Sequence, residues 1–276
     1  MTTGERVGAA GPGALDRLPA WGPWRTGLAI LRRDLFVTLR EFPIFLAQVT
    51  LQPLFLLFVF GKVLTELGYA RPDYQLVLFP GLVALAAVLT GLQSTALPLV
   101  IEFSYSNEIE DRLLAPLPIG AVAVEKVVFA AMRAFVAAAV MFPLGVWILG
   151  SIPWTASTFP AVLAMTVLGC LLGAAMGLIL GTYVPPNRIN VTFALVLTPL
   201  IFTGSSQYPW PSLSHLRWFQ VVSACNPMTY VSEGLRGLMS PSIPHIPTWV
   251  CFVVAVASLV VLMIVGMIGF IRRALG

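Results

Sequence analysis

The chain has 276 residues, 58% of them hydrophobic and only 10% charged, with a mean hydropathy of +0.90. A soluble domain carries about 25% charge, so this composition excludes a water-solvated globule and makes lipid the solvent. The net charge of +4 sits mostly on arginines that flank apolar runs, which is no nucleic-acid signature, and the three cysteines and two histidines have neither disulfide-framework nor metal-ligand spacing.

Residues 1–23 are polar, rich in Gly and Pro, and read as a flexible tail without the apolar run of a signal peptide. Over 24–42, Leu28, Leu31, Leu35, Leu39 and Phe42 recur at steps of three and four, with Arg25, Arg32, Arg33 and Arg40 largely elsewhere on the wheel. That pattern predicts a basic amphipathic helix on the inner membrane face. The arginines also serve to fix topology. Six apolar runs follow, at about 43–64, 76–101, 126–149, 159–183, 189–204 and 248–271. A spanning helix takes about 20 apolar residues, so the chain reads as an all-α polytopic membrane protein with six transmembrane helices.

Lys and Arg set the orientation. With the N-terminus inside, eleven fall on cytoplasmic pieces and four (Lys62, Arg71, Arg217, Arg236) outside, with Arg133 inside a span. Both termini are therefore predicted to be cytoplasmic. Arg133, seven residues after Lys126, is placed to snorkel to the headgroups. The three cysteines, Cys170, Cys225 and Cys251, read as packing residues.

The fourth run carries Gly169, Gly173, Gly177 and Gly181, one every four residues. Such a stripe lets two helix backbones approach closely in lipid. It serves either a sliding or dimerising seam or static packing within one subunit.

The stretch 205–247 is apolar enough over 218–239 to suggest a seventh span, but crossing would bury Glu233 and Arg236. Each costs about 2.5–3.5 kcal/mol at a span centre. Prolines at 209, 211, 227, 241, 244 and 247 break the stretch into pieces, predicting short re-entrant helices before the last span. Glu233 and Arg236, three apart, share a helix face and are placed to pair. An ordinary amphipathic loop helix is the alternative.

Residues 106–118 (SNEIEDRLLAPLP) concentrate charge in an oily chain. Four charges, Glu108, Glu110, Asp111 and Arg112, would cost about 10 kcal/mol in hydrocarbon, so they face water between spans two and three. Ile109 and Leu113 share one helix face, Glu108 and Arg112 another, and Pro116 and Pro118 stop the helix. The result is a short cytoplasmic amphipathic helix whose apolar ridge fits a partner groove or lies on headgroups. There is no phosphate-binding G-x-x-x-x-G-K-[ST] loop, no H-E-x-x-H and no G-x-S-x-G. The spans lack the mid-membrane carboxylates of ion-coupled carriers. The driving force must come from another polypeptide.

Three stretches together resemble permease subunits of the ABC-2 family, the type-2 membrane component of bacterial ABC exporters. EIEDRLLAPLPIGAVAVEK resembles the family's coupling-helix segment, FPGLVALAAV its Pro-Gly start to span two, and NPMTYVSEGLRG its outer half-helix signature. The similarity is to daunorubicin-type drug exporter permeases. Many members carry Glu-Arg-Glu-x-Gly-Thr where this chain has Ser106-Asn107-Glu108-Ile109.

The resemblance implies a permease that is not itself an enzyme, in a bacterial cell membrane. It implies ATPase coupling through Glu108, Ile109, Glu110, Asp111, Arg112, Leu113 and Leu114, and an outer motif of Asn226, Pro227, Glu233 and Arg236. The partners implied are an ABC ATPase subunit, which holds the ATP and Mg, and a second permease subunit, identical or homologous. The expected cargo is a hydrophobic or amphipathic molecule; a lipid-linked glycan or polymer is the alternative cargo, and a non-transporting assembly factor the alternative class. Candidate path residues are Gln48, Gln52, Gln93, Ser94, Thr95 and Thr198, although interhelical hydrogen bonding accounts for such residues equally.

Overall fold

A computed structural model describes residues 42–71, 73–103, 119–152 and 156–275. The tail, the basic helix predicted over 24–42 except its last residue, and the predicted coupling residues 108–114 lie outside that set. The described chain is all-helical. Helix α1 (Phe42–Leu56) runs on through a π-helical stretch, Leu57–Val63, and a last α-turn, Leu64–Glu66. Then come α2 (Tyr74–Ile101), α3 (Ile119–Leu149), α4 (Phe159–Tyr183), α5 (Ile189–Thr203), α6 (Arg217–Ala224), α7 (Pro227–Met239) and α8 (Thr248–Leu275).

Five helices are long and apolar enough to cross a bilayer: Ala47–Glu66, α2, α3, α4 and α8. The apolar α5 has 15 residues, about 22 Å at 1.5 Å per residue, against a hydrocarbon core of about 30 Å. The stretch around 218–239 is not one helix. It breaks at Cys225 and Asn226 into α6 and α7, each too short to cross. Helix α3 starts at Ile119, seven residues before the apolar run read from Lys126, because IGAVAV continues the apolar pattern directly after Pro118.

Helix α2 is the axis of the bundle. Its residues 77–92 are buried without a break, as expected of a helix apolar on every side. Its main neighbour is α4, and glycine makes the contact close. A Cβ on Gly173 would strike the Val88 carbonyl, and one on Gly177 the Leu92 carbonyl. From the other side, a Cβ on Gly91 would meet the Cys170 carbonyl at 2.6 Å. The two backbones therefore touch with no side chain between them. Gly181 faces Leu99 and Ala96, and Gly169 faces Ala87 and Val231. The stripe lies inside the subunit.

Helix α3 closes a second side of α2, with Phe79 edge-on to Phe142 at 5.7 Å. Arg133 stands over the Phe45 ring at 4.3 Å, tying α1 to α3. The outward faces of α1 and α8 carry exposed apolar side chains, among them Leu51, Phe55, Val253 and Val260, which is a lipid-facing or partner-facing surface. Cys170 and Cys251 are buried, but Cys225 is exposed between α6 and α7, so packing does not account for it.

Candidate functional site

The last carbonyls of a helix have no intrahelical donor, and in hydrocarbon there is no water to supply one. At the end of the short α5, seven consecutive carbonyls receive side-chain donors. Thr203 Oγ1 donates to Pro199 O at 2.8 Å, Asn226 Nδ2 to Leu200 O at 3.0 Å and Ser206 Oγ to Ile201 O at 3.3 Å. The Tyr208 hydroxyl donates to Phe202 O. Ser223 Oγ and Thr229 Oγ1 reach Thr203 O at 2.7 and 3.2 Å, and Ser232 Oγ reaches Gly204 O at 2.8 Å. Arg236 Nη2 completes the row on Ser205 O at 2.8 Å. The turn that delivers this row includes Ser205 at φ +52°, a left-handed conformation.

Helix α7 is placed by its cap. Asn226 Oδ1 accepts from Met228 N at 3.0 Å while its Nδ2 also donates to Thr203 Oγ1 at 2.9 Å. Pro227 takes the first helical position, where a missing N–H costs nothing. The Asn-Pro pair thus both starts α7 and sews it to α5.

Inside this cap, Glu233 and Arg236 form an ion pair with both side chains fully buried. Glu233 Oε1 also accepts from Trp210 N at 2.9 Å, and Oε2 from Ile246 N at 3.0 Å. Arg236 donates to Val77 O through Nε at 3.3 Å and Nη2 at 3.2 Å. One pair therefore holds four segments: the start of α2, the turn after α5, the 3₁₀ turn Trp210–His215 and the linker into α8. Every partner of the carboxylate is a donor and every other partner of the guanidinium is a carbonyl, which is the full satisfaction a buried pair requires. The Pro80-Gly81 step serves the same junction. A Cβ on Gly81 would strike the Ser206 carbonyl, so only glycine lets the turn lie on α2.

The family model for ABC-2 type transporters matches residues 27–240. The chain belongs to the ABC-2 type transporter family. It is also 28% identical over 229 residues to a protein of Cyanophora paradoxa named as the transport permease ycf38, covering 78% of this chain and 74% of that one. The chain is the permease subunit of an ABC-2 type transporter, the membrane domain without a nucleotide-binding domain, and its family implies an ABC ATPase as partner.

The cap gathers Asn226, Pro227, Glu233 and Arg236 of this permease in one place. The six path candidates do not share one environment. Gln48 and Gln52 are exposed on α1 and Thr198 is exposed on α5, while Gln93 and Ser94 are half-buried on α2. Thr95 is buried, donates to Gly91 O at 3.0 Å and lies under Gly177, so its hydroxyl and methyl are used in packing. Among the described residues no cluster of His, Cys, Asp and Glu could hold a metal.

Sequence reading missed a second constellation at the opposite end of the bundle. Glu102 is the C-cap of α2, and Lys126, where the sequence reading began the third apolar run, stands two turns into α3. They form a buried ion pair, at 8% and 9% exposure. Beside it, the Arg273 guanidinium lies 4.7 Å from the Phe103 ring centre and donates from Nη1 to Gly181 O at 2.9 Å and Thr182 O at 3.0 Å. Arg273 of α8 thereby caps α4 and rests on the end of α2. The only signal in the sequence was position: these are the first charges met on leaving each apolar run.

Proposed function

We propose that this permease crosses the membrane six times with both ends cytoplasmic and moves a hydrophobic or amphipathic molecule outward, powered by a separate ATPase that docks on residues 106–118. The observation that carries the six-crossing reading is the filled row of carbonyls at 199–205. A helix that ends in open water has no need of a side-chain donor on each of seven carbonyls. One that ends within the membrane does, and Ser223 of α6, the Asn226 cap, and Thr229, Ser232 and Arg236 of α7 supply five of the eight donors. The external power source is supported by the spans themselves. Helices α2, α4 and α5 contain no Asp, Glu, Lys, Arg or His, and the two fully described ion pairs are each internally neutralised. A second permease subunit would cover the exposed apolar side of α1 and α5, leaving a path between copies near Gln48, Gln52 and Thr198. The similarity to drug-exporter permeases supports a small amphiphile as cargo and a bacterial cell membrane as the location.

The test is Leu113→Asp in the full chain. The permease is expected to reach the membrane while the ATPase subunit no longer co-purifies with it. Undiminished co-purification would remove the docking role of 106–118.

A further inference from the structure

The inner ends of α2 and α3 flank the segment that the reading above assigns to ATPase docking, and what joins those ends decides what a push on that segment moves. Four contacts tie together this end of the bundle. Lys126 Nζ donates to Glu102 Oε1, linking α3 to α2. Phe103 is edge-on to Phe270 of α8 at 5.5 Å. Arg273 lies over Phe103 and holds the carbonyls of Gly181 and Thr182 at the end of α4. Gly269 of α8 is pressed against the Tyr183 ring, where an added Cβ would strike it. Hydrophobic contact would suffice to pack these ends. A buried ion pair is a less economical solution, because its desolvation cost commonly matches its attraction. What it adds is a strong dependence on spacing and partner identity. Among the described residues Glu102 Oε2 is also buried without a hydrogen-bond partner, and an unsatisfied buried polar atom in a native fold calls for an explanation.

We propose that Glu102 and Lys126 are positioning residues for energy coupling. The pair fixes the distance between the two helix ends that bracket residues 104–118, so that a displacement of the segment is delivered to α2 and α3 together and, through Phe103 and Arg273, to α4 and α8. Without it, α2 and α3 would be free to move apart and the displacement would not be shared between them. This inference rests on the docking role proposed for 106–118.

The experiment uses the full permease with its ATPase in nanodiscs, carrying a fluorescent label on Tyr69→Cys at the exposed outer loop in a background without native cysteines. The readouts are ATPase retention and the change in label emission on adding ATP with vanadate. In Glu102→Gln and in Lys126→Gln the ATPase stays bound, while the emission change falls about fivefold or more, the lower end of a typical coupling between sites. The exchanged pair, Glu102→Lys with Lys126→Glu, restores most of it. A purely structural role would lower protein yield but leave the emission change per complex intact, and that outcome overturns the proposal. So does a loss in the single variants that the exchange does not repair. If the single variants do not reach the membrane, Glu102→Asp with Lys126→Arg, which keeps the charges but alters the spacing, is the deciding variant: a full emission change overturns the proposal and a reduced one supports it. Failure of the docking reading shows elsewhere, as retention of the ATPase by Leu113→Asp.

Discussion

Glu233→Gln is the sharpest probe of the cap over α5. The carboxylate of Glu233 meets three donors, from Arg236, Trp210 and Ile246. An amide offers one acceptor oxygen and turns its NH₂ toward a donor, so no rotamer satisfies the site. The Arg236 guanidinium, fully buried, is left without a counter-charge, and breaking one side of a buried pair costs about 3–5 kcal/mol. At about 2–4 °C per kcal/mol for a chain of this size, the melting temperature should fall by about 10 °C. The assay is thermal unfolding in nanodiscs followed with a thiol-reactive dye. Cys251 is a built-in reporter, buried against Gly234 on α7, once the exposed Cys225 is replaced by Ser. Glu233→Leu combined with Arg236→Met removes both charges and should melt well above the single variant, giving a favourable coupling term in a double-mutant cycle. A Glu233→Gln protein melting within about 2 °C of the parent would refute the claim that this pair holds the cap.

Three further outcomes follow from close contacts. Gly173→Ala places a Cβ on the Val88 carbonyl and should destabilise by about 1–3 kcal/mol, whereas Gly120→Ala, which meets only the Met267 side chain at 3.4 Å, should melt like the parent. Gly81→Ala should push the turn at Ser206 off α2 and expose Cys251 to the dye at lower temperature, with the same Gly120→Ala variant as the control for an added methyl. Asn226→Ala loses the α7 cap and the bonds to Leu200 and Thr203, a cost of about 1–2 kcal/mol read in the same melt; Asn226→Asp keeps the capping oxygen and should recover part of it.

The long helices were legible because an apolar run of span length has few other fates in water. Gly169 to Gly181 announced a groove, but a four-residue period fixes a face, not the neighbour that fills it. That α2 is the neighbour depends on Gly91 and Val88, some eighty residues earlier in the chain. Glu233 and Arg236 were legible as a pair from their spacing. Their burial was not, because it depends on acceptors and donors from Val77, Ser205, Trp210 and Ile246. The hydroxyl row over 199–205 left no trace in any local pattern, since Ser, Thr and Tyr in a loop look like ordinary polar punctuation until the fold brings them over one helix end. Glu102 and Lys126 are 24 residues apart, and no short-range spacing rule pairs charges at that separation.

The seam between α2 and α4 has a mechanical meaning. Two helices whose peptide planes touch at Gly91, Gly173 and Gly177 have no cushion of rotamers to shear, so they behave as a single stiff beam. The 28 residues of α2 make that beam about 42 Å long, with Glu102 at one tip and Val77 near the other. A tilt of about 5° at the Glu102 tip, applied to a length of about 42 Å, carries the far tip through about 4 Å, more than the length of a hydrogen bond, so leverage alone would let a small movement at one end of α2 unseat or reseat the cap at the other.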